Sequence, residues 1–249
     1  MLRGLYQSAS AMLTYQARHE SISTNLANVN TSGYKAVRPA VGSFGNMLLH
    51  RMAGGFNEGA VGPLGADVAL VGSVSDFTPG TLRETNEELD IALEGEGLFT
   101  IATPDGIRYT RNGEFGRDAL GRLITAQGWL VLADDGQALN VGSGVVRIDE
   151  AGAVFSDEAP VGSLGLVVFD QPAFLAREDG GRFAVTEAAG DMAAAVPTVR
   201  QGFVEASNVD ASQSMVDLMA TFRAYEANQQ VIEAQNDALR LAVNELARF

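Results

Sequence analysis

The chain of 249 residues contains no cysteine and only two histidines, His19 and His50. Without thiols it can form no disulfide, no cysteine nucleophile and no cysteine-ligated zinc site, and its redox compartment stays open. Neither histidine has another metal-ligating residue type near it at metal-binding spacing. We therefore expect no metal and no cofactor, and we expect His19 to be a packing residue within a helix.

Basic residues are scarce. Lysine and arginine number 17 against 31 aspartates and glutamates, so the formal net charge is -14, and no basic cluster occurs. Such a chain is repelled by phosphate backbones and anionic membrane surfaces. No run of 18 apolar residues is present, and the first ten residues lack the pattern of a cleaved signal peptide. The sequence predicts no nucleic-acid binding, no direct membrane insertion and no cleaved signal.

Catalytic motifs are also missing. Gly95-Glu96-Gly97 lacks the later glycine of a dinucleotide-binding loop and lies between two predicted strands. The serine of residues 162–165 is one position too early for a nucleophile elbow. Acidic pairs such as Asp134-Asp135 fall in predicted turns, where a solvated surface is expected. The sequence predicts no catalytic residue and no enzyme.

What the chain does contain is an apolar stripe at each end, over residues 2–29 and 210–246. Each stripe steps by three and four residues, the heptad period of a helix that packs along its length against another helix. Asp210, with Gln213 three residues on, predicts a capped start of the second helix, and residues 30–33 predict the end of the first. The N-terminal stripe comprises Leu2, Leu5, Ala9, Met12, Gln16, His19, Ile22, Leu26 and Val29, and the C-terminal stripe comprises Met215, Leu218, Phe222, Tyr225, Gln229, Ile232, Asn236, Leu239, Val243 and Leu246.

These helices are long for a chain of this size. At about 1.5 Å per residue they extend to roughly 40 Å and more than about 50 Å. Pairing with each other is expected, but it leaves apolar side chains such as Tyr6, Leu13, Val216 and Leu241 on the outside. The pattern therefore favours assembly over catalysis.

Between the helices the period changes to that of strands. Residues 33–80 are glycine-rich, with short apolar runs at 47–49 and 68–74 and a Gly54-Gly55 pair, and they predict an extended connection. From Leu89 to about Val185, short strand patterns alternate with tight turns, which is typical of an antiparallel all-β domain with Phe115 and Trp129 in its core. Residues 186–195 are alanine-rich and fit no period.

The predicted fold class is α+β. The terminal helices pair as a coiled-coil-like domain, an extended glycine-rich connection follows, and the central domain is antiparallel and all-β. The predicted boundaries are 1–33 with 208–249 for the helical assembly domain, 34–80 with 190–207 for the connection with short strands, and 81–189 for the β domain.

Three segments resemble, in order, the bacterial flagellar rod and hook axial proteins. We name them the N-terminal signature (residues 25–35), the strand signature (residues 89–99 with 109–115) and the C-terminal signature (residues 201–209, followed by Tyr225-Glu226-Ala227). The resemblance runs nearly end to end. The residues it implicates in assembly, together with the helix positions above, are Asn25, Leu26, Ala27, Asn28, Gly33, Tyr34, Lys35, Gln201, Gly202, Glu205, Ser207, Asn208, Val209, Leu218, Phe222, Tyr225, Glu226, Ile232 and Leu239.

This resemblance implies a structural subunit of the flagellar basal-body rod, which polymerises helically through its terminal helices and transmits motor torque to the hook. The implied partners are the chain itself, other flagellar rod and hook proteins and the flagellar type III export apparatus. Hook subunits usually carry further outer β domains, for which this chain has no room, so the rod is favoured. A hook-type subunit stays an alternative, and a surface adhesin or binding module with a β domain is a more distant one.

The asparagines of the N-terminal signature allow two interpretations. Asn28 and Asn30 fit helix capping and the turn at Gly33. Alternatively, Asn25 and Asn28 bond to neighbouring subunits and fix their register, as buried asparagine does in coiled coils.

Overall fold

The computed structural model describes residues 2–44, 47–53, 56–64 and 67–246. These residues form two long α-helices and twenty β-strands, and the strands pair antiparallel. They fall into two compact units. The helical unit comprises Met1–Thr24, Val37–Val74 and Ser212–Phe249, and the β unit comprises Asn25–Ala36 and Ser75–Ala211. The predicted α+β class is confirmed, whereas the three-part division by residue stays a prediction.

Both terminal helices form where the stripes predict them. Helix α1 spans Leu2–Ala27 and helix α2 spans Ala211–Leu246. Helix α1 ends two residues before the predicted end because the chain enters a turn, in which the N–H of Thr31 donates to the carbonyl of Asn28 at 3.1 Å. Neither helix, over the residues described, carries an apolar stretch sufficient to cross a bilayer.

The glycine-rich stretch after α1 forms two strand pairs, one nested within the other along the chain. Strand β1 (Ala36–Phe44) pairs with β4 (Asp67–Asp76), and β2 (Met47–Ala53) pairs with β3 (Phe56–Leu64). The Gly54-Gly55 pair and the side chain of His50 lie outside the described residues. The stretch is thus more regular than the predicted connection, since its apolar runs at 47–49 and 68–74 lie in strands β2 and β4, which pair with β3 and β1.

The β unit holds the remaining strands, and the largest sheet has nine of them in the order β16-β17-β8-β7-β11-β10-β9, with β15 joining β7 to β18. A three-stranded sheet is built from β12, β13 and β14, while β5 pairs with β20 and β6 with β19. Two short 3₁₀ helices occupy Pro172–Phe174 and Glu187–Ala189. The strand bounds are Leu82–Glu84 (β5), Ile91–Glu94 (β6), Leu98–Thr103 (β7), Gly106–Thr110 (β8), Phe115–Arg117 (β9), Leu123–Thr125 (β10), Leu130–Val131 (β11), Val146–Ile148 (β12), Ala153–Ser156 (β13), Ala159–Ser163 (β14), Leu166–Phe169 (β15), Ala176–Glu178 (β16), Arg182–Ala184 (β17), Met192–Ala194 (β18), Thr198–Gln201 (β19) and Phe203–Glu205 (β20).

Strand β7 separates two hydrophobic cores because successive side chains of a strand point to opposite faces. Phe99 and Ile101 enter the larger core, and Leu98 enters the smaller one. Phe115 packs edge-to-face on Phe99 with ring centroids 5.0 Å apart, and Trp129 packs against the same core. The prediction that Phe115 and Trp129 belong to the core of the β domain is confirmed.

Charge is distributed very unevenly between the two units. The β unit contains 23 acidic and 10 basic residues, a net charge of -13, whereas the helical unit contains 8 acidic and 7 basic residues, a net charge of -1. The acidity of the chain therefore belongs to the β unit.

We expect Phe99→Ala to lower the free energy of unfolding of the β unit by about 3–5 kcal/mol, because it leaves a cavity at a fully buried ring. Urea denaturation followed by tryptophan fluorescence measures the change. Val145→Ala is the matched control, since Val145 is 70% exposed and its truncation should stay within about 0.5 kcal/mol. Equal losses in the two variants would contradict this placement of the core.

Candidate assembly site

Three charged side chains, one from each signature, meet inside the β unit. Lys35, Arg111 and Glu205 are 2%, 4% and 2% exposed. The Lys35 ammonium donates to Oε1 of Glu205 at 2.7 Å, and Nε of Arg111 donates to Oε2. The signatures are far apart in sequence, but the fold joins them at one carboxylate.

The hydrogen bonds around this carboxylate satisfy all three groups. Arg111 uses its Nη2 to donate to the carbonyls of Leu93 and Gly95, each at 2.7 Å, and Lys35 donates to the carbonyl of Thr78 at 2.9 Å. Oε1 of Glu205 also accepts from the backbone N–H of Gly80 at 2.7 Å. Two cations share one anion, so these carbonyl dipoles compensate the excess positive charge.

The protonation states follow from this arrangement. Burial alone raises the pKa of Glu205, but the charges and hydrogen bonds of Arg111 and Lys35 outweigh burial and hold that pKa below its usual value. Burial lowers the pKa of Lys35, and Glu205 opposes this effect. A carboxyl whose pKa is lower in the folded state stabilises the fold above its unfolded pKa, and this contribution is lost as pH falls through the folded pKa.

Asn208 of the C-terminal signature joins two other segments. Its Oδ1 accepts from the N–H of Ala36 at 2.8 Å, and its Nδ2 donates to the carbonyls of Asp76 at 2.8 Å and Thr78 at 3.1 Å. The N–H of Asn208 also donates to the carbonyl of Tyr34 at 3.4 Å. The segment before α2 therefore lies beside the segment after α1.

Gly33 is fixed by its backbone. Its φ is +68°, and its N–H donates to the carbonyl of Glu205 at 2.7 Å. A Cβ at this position would collide with the backbone of Arg111 and Asn112. Only glycine combines this left-handed conformation with so close an approach.

Tyr34 fills the space beneath the turn. Its hydroxyl donates to Oδ1 of Asn25 at 3.0 Å, and the guanidinium of Arg177 lies 4.1 Å from its ring centroid. Burial raises the pKa of Tyr34, and Arg177 opposes this. Oδ1 of Asn28 accepts from the Thr31 hydroxyl at 3.2 Å. Asn25 and Asn28 thus bond within their own chain, and Asn30 is exposed. The roles of the three asparagines stay a prediction.

The rest of the C-terminal signature also bonds within the chain. The amide of Gln201 donates to the carbonyls of Val146 and Glu88 at 2.7 and 2.8 Å and accepts from the N–H of Ile148 at 3.0 Å. Gly202 has a φ of +78°, and Oγ of Ser207 accepts from the N–H of Val209 at 3.3 Å just before α2. Leu26 and Val209 are half-buried, and Ala27 is exposed.

Helix α2 differs from its predicted stripe at every second position. Leu218, Tyr225, Ile232 and Leu239 are half-buried as expected, whereas the alternate predicted positions Met215, Phe222, Gln229 and Asn236 are exposed, like Glu226. The covered series keeps the half-buried positions Leu218, Tyr225, Ile232 and Leu239. In place of each exposed position it uses the residue just before it, namely Ser214, Thr221, Asn228 and Gln235.

This displacement leaves large apolar side chains uncovered. We name the exposed stripe, all of whose members are 52–56% exposed, the α2 apolar stripe; it comprises Met215, Val216, Met219 and Phe222. Farther along α2, Leu241 and Val243 are also exposed, as are Tyr6 and Leu13 on α1. The predicted exposure of Tyr6, Leu13, Val216 and Leu241 is confirmed.

The N-terminal stripe largely matches its prediction. Leu5, Ala9, Met12, His19 and Ile22 are half-buried, whereas Gln16 is exposed. Ser8, which lies outside the predicted stripe, is buried. His19 lines a groove of about 310 Å³ with Tyr15 of α1 and with Thr221, Phe222 and Tyr225 of α2. Within the described residues no cluster of metal-ligating side chains occurs.

Sequence reasoning does not identify two residues of this site. Arg111 lies in the strand signature but is not among the predicted assembly residues, and Arg177 lies outside all three signatures. The available signal was the low number of basic residues, since an arginine within an apolar strand pattern requires an anionic partner when the strand is buried.

We expect charge replacements in the buried network to differ in cost. Glu205→Gln leaves two buried cations without a counter-ion and should cost about 3–5 kcal/mol of unfolding free energy. Lys35→Met keeps the Arg111–Glu205 pair and should cost about 1–3 kcal/mol through its unpaired carbonyls. Urea denaturation measures the unfolding free energy of both variants. As pH falls below about 5, the wild type should lose more stability than Glu205→Gln, because the variant has no carboxyl to protonate at this position.

The exposed pair Arg200–Glu94, with Nε and Oε2 3.1 Å apart, is the control, because Glu94→Gln should cost less than about 1 kcal/mol. A larger loss for Lys35→Met than for Glu205→Gln would contradict the assigned charge balance.

Three family models match the chain. The flagella basal body rod protein family matches residues 5–35, the flagellar hook protein FlgE/F/G D1 domain matches residues 92–156, and the flagellar basal body rod FlgEFG protein C-terminal family matches residues 200–245. They include the whole of the N-terminal and C-terminal signatures and, except for residues 89–91, the strand signature.

Relatives match over nearly the whole chain. The flagellar basal-body rod protein FlgG of Borreliella burgdorferi is 31% identical over 98% of both chains, and that of Agrobacterium fabrum is 34% identical over 95% of this chain and 96% of its own. The flagellar hook-basal body complex protein FlhO of Bacillus subtilis is 31% identical over 100% of both chains. The resemblance carried by the three signatures is confirmed, and the chain belongs to the flagellar basal-body rod protein family.

Proposed function

We propose that this chain is a structural axial subunit of the bacterial flagellar basal-body rod, located in the basal body, which polymerises helically and transmits motor torque to the hook. The observation that carries this proposal is the exposure of the α2 apolar stripe. Large apolar side chains arranged along one side of a helix mark an interaction surface in a soluble protein. A contact of this kind that does not close on itself generates a helical filament.

Within one subunit, α1 and α2 pair as a coiled-coil-like unit. The pairing is supported by the groove that residues of both helices line and by the position of Gly4, where a Cβ would touch the side-chain amide of Gln235. The covered series of α2 alternates Ser214, Thr221, Asn228 and Gln235 with larger residues. Small and polar side chains bury little apolar area between the two helices. Neighbouring subunits therefore supply most of the stability of the pair.

The partners are further copies of the chain and other flagellar rod and hook proteins. The near-zero net charge of the helical unit supports this choice, because close packing of many helical units then brings little electrostatic repulsion. The acidic β units are less suited to pack against one another. The subunit acts without enzymatic activity and reaches its site through the flagellar type III export apparatus.

We expect replacement of Val216 and Met219 by serine to lower incorporation into basal bodies at least about tenfold, because the two side chains belong to the α2 apolar stripe. The unfolding free energy of the purified subunit should stay within about 0.5 kcal/mol of wild type, since both side chains are exposed. Incorporation is measured by immunoblotting of isolated basal bodies from cells that express only the variant.

The matched control replaces the exposed Ala220 and Ala227 of the same helix by serine, and it should incorporate normally. Normal incorporation of the Val216 and Met219 variant would show that the stripe is not an assembly surface.

We expect the protein concentration at which the purified subunit begins to polymerise to fall when NaCl is raised from about 0.1 M to about 1 M. Repulsion between the β units is then screened, because the Debye length falls from about 10 Å to about 3 Å. Sedimentation measures the onset. A variant with amides at the exposed residues Asp105, Asp134, Asp135 and Glu187 should polymerise earlier and depend less on salt, and an unchanged salt response would exclude this repulsion.

A further inference from the structure

We propose that residues 25–36 and 201–209 form a latch, ordered together with the β unit in the free subunit, which holds the end of α1 beside the start of α2 before those helices are stably folded. The proposal concerns the isolated subunit and does not depend on the rod function. It divides the chain ends into a fixed part next to the β unit and an outer part that folds later.

The first support is the difference in burial along the N-terminal segment. Ser32, Tyr34 and Lys35 are buried, whereas Tyr6 and Leu13 on α1 are largely exposed. Stability is not uniform within a protein, and segments with few buried apolar contacts open first. Order should therefore persist in the latch when it is lost from the outer helices.

The second support is the number of bonds that tie this short segment to the β unit. The hydroxyl of Ser32 donates to Oε1 of Glu114 at 2.6 Å, and the carbonyl of Lys35 accepts from Nη1 of Arg177 at 2.8 Å. Gly33 and Lys35 both bond to Glu205, and the ring of Tyr34 lies against the guanidinium of Arg177. Each residue from Ser32 to Lys35 therefore contacts another part of the β unit. None of these bonds requires residues 2–24 or 212–246.

The latch also depends on a folded β unit. Arg111 is held by the carbonyls of Leu93 and Gly95, at the end of β6 and just after it, and Glu205 ends β20, which pairs with β5. Lys35 binds a carboxylate that these elements position, since Glu205 belongs both to β20 and to the latch. The latch therefore becomes ordered together with the β unit and before the helices.

Hydrogen–deuterium exchange on the dilute, full-length subunit tests this order. Amides of residues 28–36 should be protected to within about ten-fold of those in β7, while amides of residues 3–20 and 214–240 should exchange at least about a hundred-fold faster. Exchange of residues 28–36 at the rate of α1 would overturn the proposal. Equal protection of α1 and β7 would also overturn it, because the helices would then need no latch.

A variant tests the network itself. In Lys35→Met, the protection of residues 28–36 should fall at least about ten-fold more than that of β7, whose decrease reports the general loss of stability. Glu94→Gln, at an exposed pair of the same unit, should change neither. Unchanged protection of residues 28–36 in Lys35→Met would show that the buried ion network does not hold the segment.

A second measurement does not require the network to be altered. Because the chain has no cysteine, Asn30→Cys with Glu84→Cys creates the only two thiols, both at exposed positions. Spin labels on them should give one narrow distance distribution by electron–electron double resonance in the free subunit. A broad distribution would overturn the latch even if Lys35→Met unfolds the whole β unit.

Discussion

The structure depends on one carboxylate. Glu205 is buried at the end of the β unit and binds Lys35 from the segment after α1 and Arg111 from the central strands. A buried carboxylate without such partners is strongly destabilising. The bonds therefore form only when the segment after α1, the segment before α2 and the central domain are in place. The signature segments surround this point. The side chains of these segments that bond within their own chain stabilise the fold of one subunit.

Much of the architecture follows from sequence periodicity. The helices are bounded as the stripes predict, because heptad patterns over 26 and 36 residues are hard to satisfy in any other structure. The strand patterns give the β domain, but they do not give its pairing. The partners of β7 are β8, β11 and β15, and the last two pairings join residues far apart in sequence. The charge network is hidden for the same reason, since Lys35 and Glu205 are 170 residues apart.

The site on α2 shows a different limit of sequence analysis. A search for apolar residues at heptad spacing selects Met215 and Phe222 as covered positions, whereas the fold covers Ser214 and Thr221. Hydrophobicity marks the surface with the most to gain from burial, but it does not say which molecule buries it. In a subunit of a larger assembly, the most apolar face of a helix is left for other chains. The error of one residue at alternate positions thus carries information about function.

The polar covered face of α2 has a consequence for how a growing structure keeps its accuracy. A lone subunit gains little from fixing its two helices against each other, so it has no strongly preferred alignment that could be wrong. In the assembly we propose, the alignment of an incoming subunit is set by the subunits already in place, whose apolar faces act as a template. A misalignment formed in solution would be corrected at each addition and would not be passed along the axis.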